Sequence, residues 1–134
     1  MTSLSTRVRR LSSDRLALLV AFIAVATIGA GLAQVILPGV FLDILDAENT
    51  QTTRYFFGIV GMFMAVIGGA VLHAMLDDRD HPIVVLWGGI QKLGAVIAVS
   101  GAVILGLFSS LALLIVAFDA ASTAINLAYW RRIR

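Results

Sequence analysis

The chain has 134 residues, of which 60% are hydrophobic and 13% are charged, and its formal net charge is +2. A soluble domain of this size carries about a quarter charged residues, so the composition argues against a water-soluble domain and favours lipid as the surrounding solvent. The chain has no cysteine. This excludes disulfides, thiolate nucleophiles, cysteine zinc sites and the small four-helix membrane enzymes that move electrons through cysteine pairs.

Four long apolar segments dominate the chain. Each has about the 20 residues that a helix needs to cross the hydrocarbon core, and backbone groups in lipid must find their partners within the segment. We therefore expect one all-α membrane domain, an antiparallel bundle of four transmembrane helices. The first segment is longer than the 7–15 apolar residues of a signal peptide, so we expect it to be retained. The predicted helices are residues 16–37, 55–76, 83–108 and 111–130.

The breaks between these segments predict how the helices connect. Pro38-Gly39 should end the first helix, because proline lacks an amide donor and glycine leaves the helical region easily. Residues 40–48 follow, with apolar and acidic residues at helical spacing. They fit either a short amphipathic segment at the membrane surface or an ordinary loop. Ser109-Ser110 is the only candidate turn between the last two segments, which predicts a tight antiparallel hairpin.

Arginines predict the orientation of the bundle. One side would carry only Arg54, and the other would carry eight arginines. This asymmetry follows the positive-inside rule, so we expect both termini in the cytoplasm and a multi-pass protein of the cell (inner) membrane. The eight are Arg7, Arg9, Arg10, Arg15, Arg79, Arg131, Arg132 and Arg134.

Small residues at four-residue spacing are typical of membrane helices that pack closely. The second helix has Gly61, Ala65 and Gly69, followed by His73, and the third has Gly94 and then Ala98 and Ala102. We expect these rows to face neighbouring helices within the bundle. A groove for a ligand is the alternative interpretation.

Only Lys92 and Asp119 are charged within the predicted spans. Counted from the Ser109-Ser110 turn at about 1.5 Å per residue, Lys92 lies about 26 Å deep and Asp119 about 13 Å deep. This difference predicts that they form no direct ion pair. Lys92 would then extend its ammonium to the headgroups, or join a polar cluster with Asn126, His73 or a bound lipid.

Asp119 begins a polar stripe on the fourth helix. Ser122, Thr123 and Asn126 follow it at spacings of three, four and seven residues, so they share a face. Charged residues at this depth usually face the bundle interior and often have a role. Hydrogen bonds between helices are one interpretation of the stripe. Proton or ion handling, or recognition of a polar headgroup, is the other.

The remaining titratable residues do not suggest a cofactor. His73 would be shallow and His81 lies in a loop, whereas haem ligation between helices needs deep histidines. Asp77, Asp78 and Asp80 look like a solvated turn rather than a cation site, and no catalytic motif is present. We therefore expect no catalytic residue, no metal and no cofactor.

Three features together resemble a known family. They are the segment 37–45 (LPGVFLDIL), the entry to the second helix at 54–58 (RYFFG), and Phe118-Asp119 in the fourth helix. This layout resembles the DoxX-like group of small bacterial four-helix membrane proteins. The resemblance implies a four-helix membrane bundle. In the better-known members it is linked to oxidase accessory subunits and to membrane complexes that counter oxidative stress.

These observations favour a non-enzymatic accessory or partner-binding subunit of a membrane complex. Its expected surroundings are the lipid bilayer and a membrane-protein partner or a second copy of the chain, with no nucleic acid. The alternative is an oligomeric small-solute or proton-linked transporter that uses Asp119. A lipid-modifying or quinone-linked enzyme is disfavoured, because His73, Lys92 and Asp119 do not form an acid–base–nucleophile set at their predicted depths.

Overall fold

The computed structural model describes residues 9 and 11–134, and it is helical without strands over this part of the chain. Four of its helical segments are long and apolar enough to cross a membrane. Arg7 and Arg10 lie outside the described residues. The elements in chain order are α1 (Arg15–Ile36), α2 (Pro38–Ile44), α3 (Gln51–Leu76), α4 (Pro82–Ile104), a 3₁₀ turn (Ser110–Ala112) and α5 (Leu113–Ile133).

Two polar caps set where the first long helices begin. The Asp14 carboxylate accepts hydrogen bonds from the first amides of α1, which leaves fewer donors unsatisfied at that end. Thr50 and Thr53 form a capping box at the start of α3. This box starts α3 at Gln51, four residues before the apolar pattern suggested. Between these two caps, α1 ends at Ile36, and Pro38 is the first residue of the short helix α2.

The connection between α4 and α5 differs from the prediction. The helix predicted to reach residue 108 ends at Ile104, because Gly106 adopts a positive φ of 71° that breaks the helical path. Residues 105–109 are therefore non-helical. The Ser109 amide donates to the Leu45 carbonyl at 2.7 Å, which ties this connection to the residue after α2. We call this end of the bundle the hairpin end and the opposite end the termini end.

Close contact between α1 and α3 depends on glycine. A Cβ placed on Gly61 would lie 2.5 Å from the Gly31 carbonyl oxygen, and one on Gly68 would lie 3.0 Å from the Ala24 carbonyl oxygen. The buried glycines are thus seven residues apart, and Met75 continues the same series. The predicted row at four-residue spacing holds for Gly61 and Ala65, whose backbones both lie against Gly31, and was wrong for Gly69 and His73. Four residues advance a helix by about 40° beyond a full turn, so such a row drifts off the contact face.

The small residues of α4 show the same effect. Gly88 and Gly89 are the ones that pack inward, against Val71 and Asn126. Gly94 and Ala98, predicted to face a neighbour in the bundle, are exposed. A Cβ added at Gly94 would meet nothing within 4 Å. The expectation that this row packs inside the bundle was therefore wrong, and α4 presents it outward.

The main hydrophobic core lies in the half of the bundle nearest the termini. Between 22% and 39% of each apolar span is buried, so most of each helix surface faces outward. All four long helices contribute buried side chains to this core, and the polar groups described below begin at its edge. The core consists of Ala17, Val20, Ala24, Val71, Met75, Val85 and Tyr129.

Candidate functional site

A buried ion pair joins α4 to α5. Lys92 Nζ lies 2.8 Å from Asp119 Oδ1, and the two side chains are only 5% and 7% exposed. The Lys92 ammonium also lies 5.4 Å from the centre of the Phe118 ring, within the range of a cation–π contact. Both charges are therefore neutralised inside the protein, away from the apolar outer surface.

The expectation that Lys92 and Asp119 stay apart was wrong, and the hairpin explains why. The depth count treated residues 105–108 as helix, but they are not helical. Counted from the true helix ends, Lys92 lies about 18 Å from Ile104 and Asp119 about 14 Å from Ser110. The remaining difference in height is about 4 Å, which a lysine side chain can cover. Lys92 therefore does not extend to the headgroups.

The polar stripe on α5 is buried along its whole length. Asp119, Ser122, Thr123 and Asn126 are all less than a tenth exposed. Thr123 Oγ1 donates to the Asp119 carbonyl and Asn126 Nδ2 to the Ser122 carbonyl, each at 2.8 Å. These bonds stay within α5, where short polar side chains commonly bond the carbonyl four residues earlier. The stripe therefore satisfies part of its polarity locally rather than across helices.

A small cavity lined by both apolar and polar residues lies at the centre of the bundle beside the ion pair. Its volume is about 10 Å³, the room needed by about one water molecule. All four long helices contribute to its walls. The polar residues that line it are Thr27, Gln91, Lys92 and Asn126. Lys92 and Asn126 thus share this cavity, while the hydrogen bond of the ammonium goes to Asp119.

The histidines are not part of this centre. His73 lies in the last turn of α3 and is exposed on its outer face. His81 Nε2 lies 2.6 Å from Asp77 Oδ2 in the loop between α3 and α4. Among the described residues, no group of three or more histidine and acidic side chains is arranged to hold a metal ion.

A second polar site lies at the termini end of the bundle. Arg132 makes a two-armed contact with the Asp14 carboxylate, Nη1 donating to Oδ1 at 3.1 Å and Nη2 to Oδ2. The Arg132 hydrogen bond, helped by the amides of Ala17 and Leu16, holds the pKa of the Asp14 carboxyl below its usual 3.8. A pocket of about 270 Å³ lies beside this pair, between the start of α1, the α3–α4 loop and the end of α5.

The sequence pattern indicates some of these polar residues, although the predictions above did not include them. Asp14 stands two residues before the first apolar run, a position typical of a helix N-cap. Thr27 is the buried polar position in the inward series of Val20, Ala24 and Gly31 on α1, and its hydroxyl donates to the Ile23 carbonyl at 2.7 Å. Gln91 precedes Lys92, and only the crossing of the helices brings it to the central cavity.

The paired charges at this centre hold α4 and α5 together. The acid and the base are already paired with each other, and the adjoining cavity has the volume of about one water molecule. A nucleophile positioned by a base would need a hydroxyl or amine free to react. Here Thr123 Oγ1 is bonded to a carbonyl of its own helix, and the Lys92 ammonium is bonded to Asp119.

Comparisons with known proteins found no similarity to report. No protein-family model, no curated protein and no solved structure matches the chain.

Proposed function

We propose that this protein is a non-enzymatic accessory or partner-binding subunit of a membrane complex, which uses the outer face of α4. The observation that carries the proposal is the contrast between the two faces of this helix. Lys92 faces inward and is neutralised by Asp119. Gly94 and Ala98 lie roughly opposite and are exposed, and within residues 9 and 11–134 a Cβ at Gly94 would meet nothing within 4 Å.

The exposed face of α4 is suited to another transmembrane helix. Without a hydrophobic driving force in lipid, helices associate where small residues let their backbones approach closely. A Cβ at Gly94 or at Gly101 would meet nothing within 4 Å, so the face is open along two turns. Ile97, which is 67% exposed, stands beside the small residues and offers an apolar side chain to a partner.

Purification in mild detergents tests this proposal. Wild-type protein should recover a membrane partner, or a second copy of itself, in fixed stoichiometry. Gly94→Leu should lose that partner, because leucine fills the open face without striking the bundle. Gly69→Leu is the matched control, since Gly69 on α3 also has nothing within 4 Å. Recovery of the lone chain in every detergent would count against the proposal, and so would equal retention by Gly94→Leu.

We also propose that both termini face the cytoplasm, in a bacterial inner membrane. Of the arginines in the described part of the chain, Arg54 alone lies at the hairpin end, and the rest lie at or near the termini end. The native chain has no cysteine, so single introduced cysteines report topology directly. Ser110→Cys should react with an impermeant maleimide in intact spheroplasts, and Ser12→Cys only after lysis. The reverse pattern would refute this orientation.

The resemblance to the DoxX-like group remains part of the proposal. It is supported by the short segment after Pro38 and by the Arg54-Tyr55 start of the second span. Membership would fit an accessory subunit, the kind of role linked to the better-known members.

A proton-linked transporter that uses Asp119 is the second candidate. It is favoured by the presence of a buried ionisable pair beside a small cavity, since charged residues at membrane depth often mark ion pathways. Proton flux into liposomes should then fall sharply in Asp119→Asn. Equal flux in wild type and variant, or none in either, would remove this candidate.

A further inference from the structure

An elongated apolar groove lies at the hairpin end, where the end of α1 meets the first three turns of α3. Its volume is about 460 Å³. Val35 and Pro38 form one wall, and Arg54, Gly58, Ile59 and Met62 form the other. The groove is separate from the ion pair at the bundle centre and from the outer face of α4.

The groove changes in polarity along its length. Gln51 and Arg54 lie in the first turn of α3, at the mouth of the groove, and Ile59 and Met62 lie further along the same helix. From Gln51 to Met62 the helix rises about 16 Å, close to half of the roughly 30 Å hydrocarbon core. A groove of this length, with a polar mouth and an apolar interior, has the dimensions of one phospholipid leaflet.

Arg54 supplies a positive charge at the mouth of the groove, and it reaches a carboxylate only indirectly, through Asn49 to Asp43. Its Nε donates to Asn49 Oδ1, while the Asn49 amide nitrogen bonds Asp43 and the Gly39 carbonyl. Within residues 9 and 11–134, the two terminal guanidinium nitrogens have no hydrogen-bond or ion-pair partner. A guanidinium anchored at Nε with its other donors available is well suited to a phosphate, which it can bind through two parallel bonds.

We propose that this groove binds one anionic phospholipid. The phosphate sits on Arg54 at the mouth, and an acyl chain runs past Gly58 towards Met62. Gly58 keeps the groove open, because a side chain there would project into the space that the acyl chain occupies. The site is independent of the proposed partner interaction, so either can fail without the other.

The absence of a side chain at residue 58 also makes the groove testable. A Cβ at Gly58 would come no closer than 4.0 Å to the Gln34 carbonyl oxygen and the Val35 Cα. Gly58→Leu should therefore fill the groove without displacing the backbone. Gly69→Leu, on the same helix but away from the groove, is the matched control.

Quenching by brominated lipids of a tryptophan placed in the groove measures lipid binding at this site alone. The reporter is Met62→Trp, at a residue 46% exposed, in a background where Trp87 and Trp130 are replaced by phenylalanine. The full chain is reconstituted into vesicles that mix phosphatidylcholine and phosphatidylglycerol, with bromines on the acyl chains of one or the other. We expect phosphatidylglycerol to be preferred about fivefold, the effect of one basic side chain near an anionic lipid.

Five variants decide the outcome. Arg54→Gln should abolish the preference, and Arg54→Lys should retain part of it. Gly58→Leu should weaken quenching by both lipids, whereas Gly69→Leu should not. Arg79→Gln, at the termini end, should leave the preference unchanged. Equal quenching by the two lipids in the reporter protein, or an undiminished preference in Arg54→Gln, would overturn the proposal. So would competition by soluble glycerol phosphate, which would indicate a simple anion site.

Discussion

Removing one partner of the Lys92–Asp119 pair should destabilise the bundle strongly, whereas removing both should not. The pair is bonded at 2.8 Å and both side chains are at least nine-tenths buried. Leaving one such charge unpaired costs about 3–5 kcal/mol, while replacing both by apolar residues of similar size is neutral or stabilising by about 1–4 kcal/mol. We therefore expect Lys92→Met and Asp119→Leu each to lose about 3–5 kcal/mol, and the double variant to recover wild-type stability.

Unfolding in detergent micelles titrated with sodium dodecyl sulfate, followed by far-ultraviolet circular dichroism, measures the free energies of this cycle. A coupling energy of several kcal/mol between the two sites is the expected result, since residues in direct contact are not additive. Ile97→Met, at an exposed position on the same helix, is the control and should change little. Additive losses in the double variant, or single losses below about 1 kcal/mol, would refute a buried pair.

Three further outcomes follow from the packing and the caps. Gly61→Leu should prevent folding, because its Cβ would strike the Gly31 carbonyl, and Gly69→Leu should fold normally; monodispersity on gel filtration distinguishes them. Gln34→Leu should stabilise the protein by about 1–3 kcal/mol, because Gln34 Oε1 is buried without a hydrogen-bond partner among the described residues; an unchanged unfolding midpoint would contradict this. Asp14→Asn keeps the helix cap but loses the ion pair with Arg132. The lowered pKa of Asp14 means that the pair stabilises the protein above pH 3.8 and that this contribution is lost as pH falls below it. The variant should therefore lose up to about 1 kcal/mol at pH 7 and match wild type at lower pH; an equal deficit in thermal unfolding at both pH values would exclude the pair as the cause.

Much of the architecture could be predicted because its causes are local. Hydrocarbon thickness sets the length of each span, and the need to satisfy the backbone within lipid makes each span a helix. The end of α1 before Pro38 and the start of α4 at Pro82 follow from the missing proline donor. The structure contains the four expected apolar helices.

The site was harder to predict because it depends on the relation between helices. Gly106 ends α4 four residues earlier than the apolar pattern suggested, and this shift brings Lys92 level with Asp119. The apolar segment 105–108 gave no sign of this, since hydrophobicity does not distinguish helix from non-helical backbone over so short a stretch. The small-residue rows failed for a related reason. A four-residue repeat does not follow one helix face, and the buried glycines of α3 are spaced by seven.

Partner retention in the two classes of α4 variant tests the central claim most directly. The inward ion pair is expected to maintain the bundle, and the outward face of α4 to bind the partner. The double variant Lys92→Met/Asp119→Leu should therefore keep the co-purifying partner in wild-type stoichiometry, while Gly94→Leu loses it. Loss of the partner in the folded double variant, with full retention in Gly94→Leu, would contradict this division of roles between the two faces of α4.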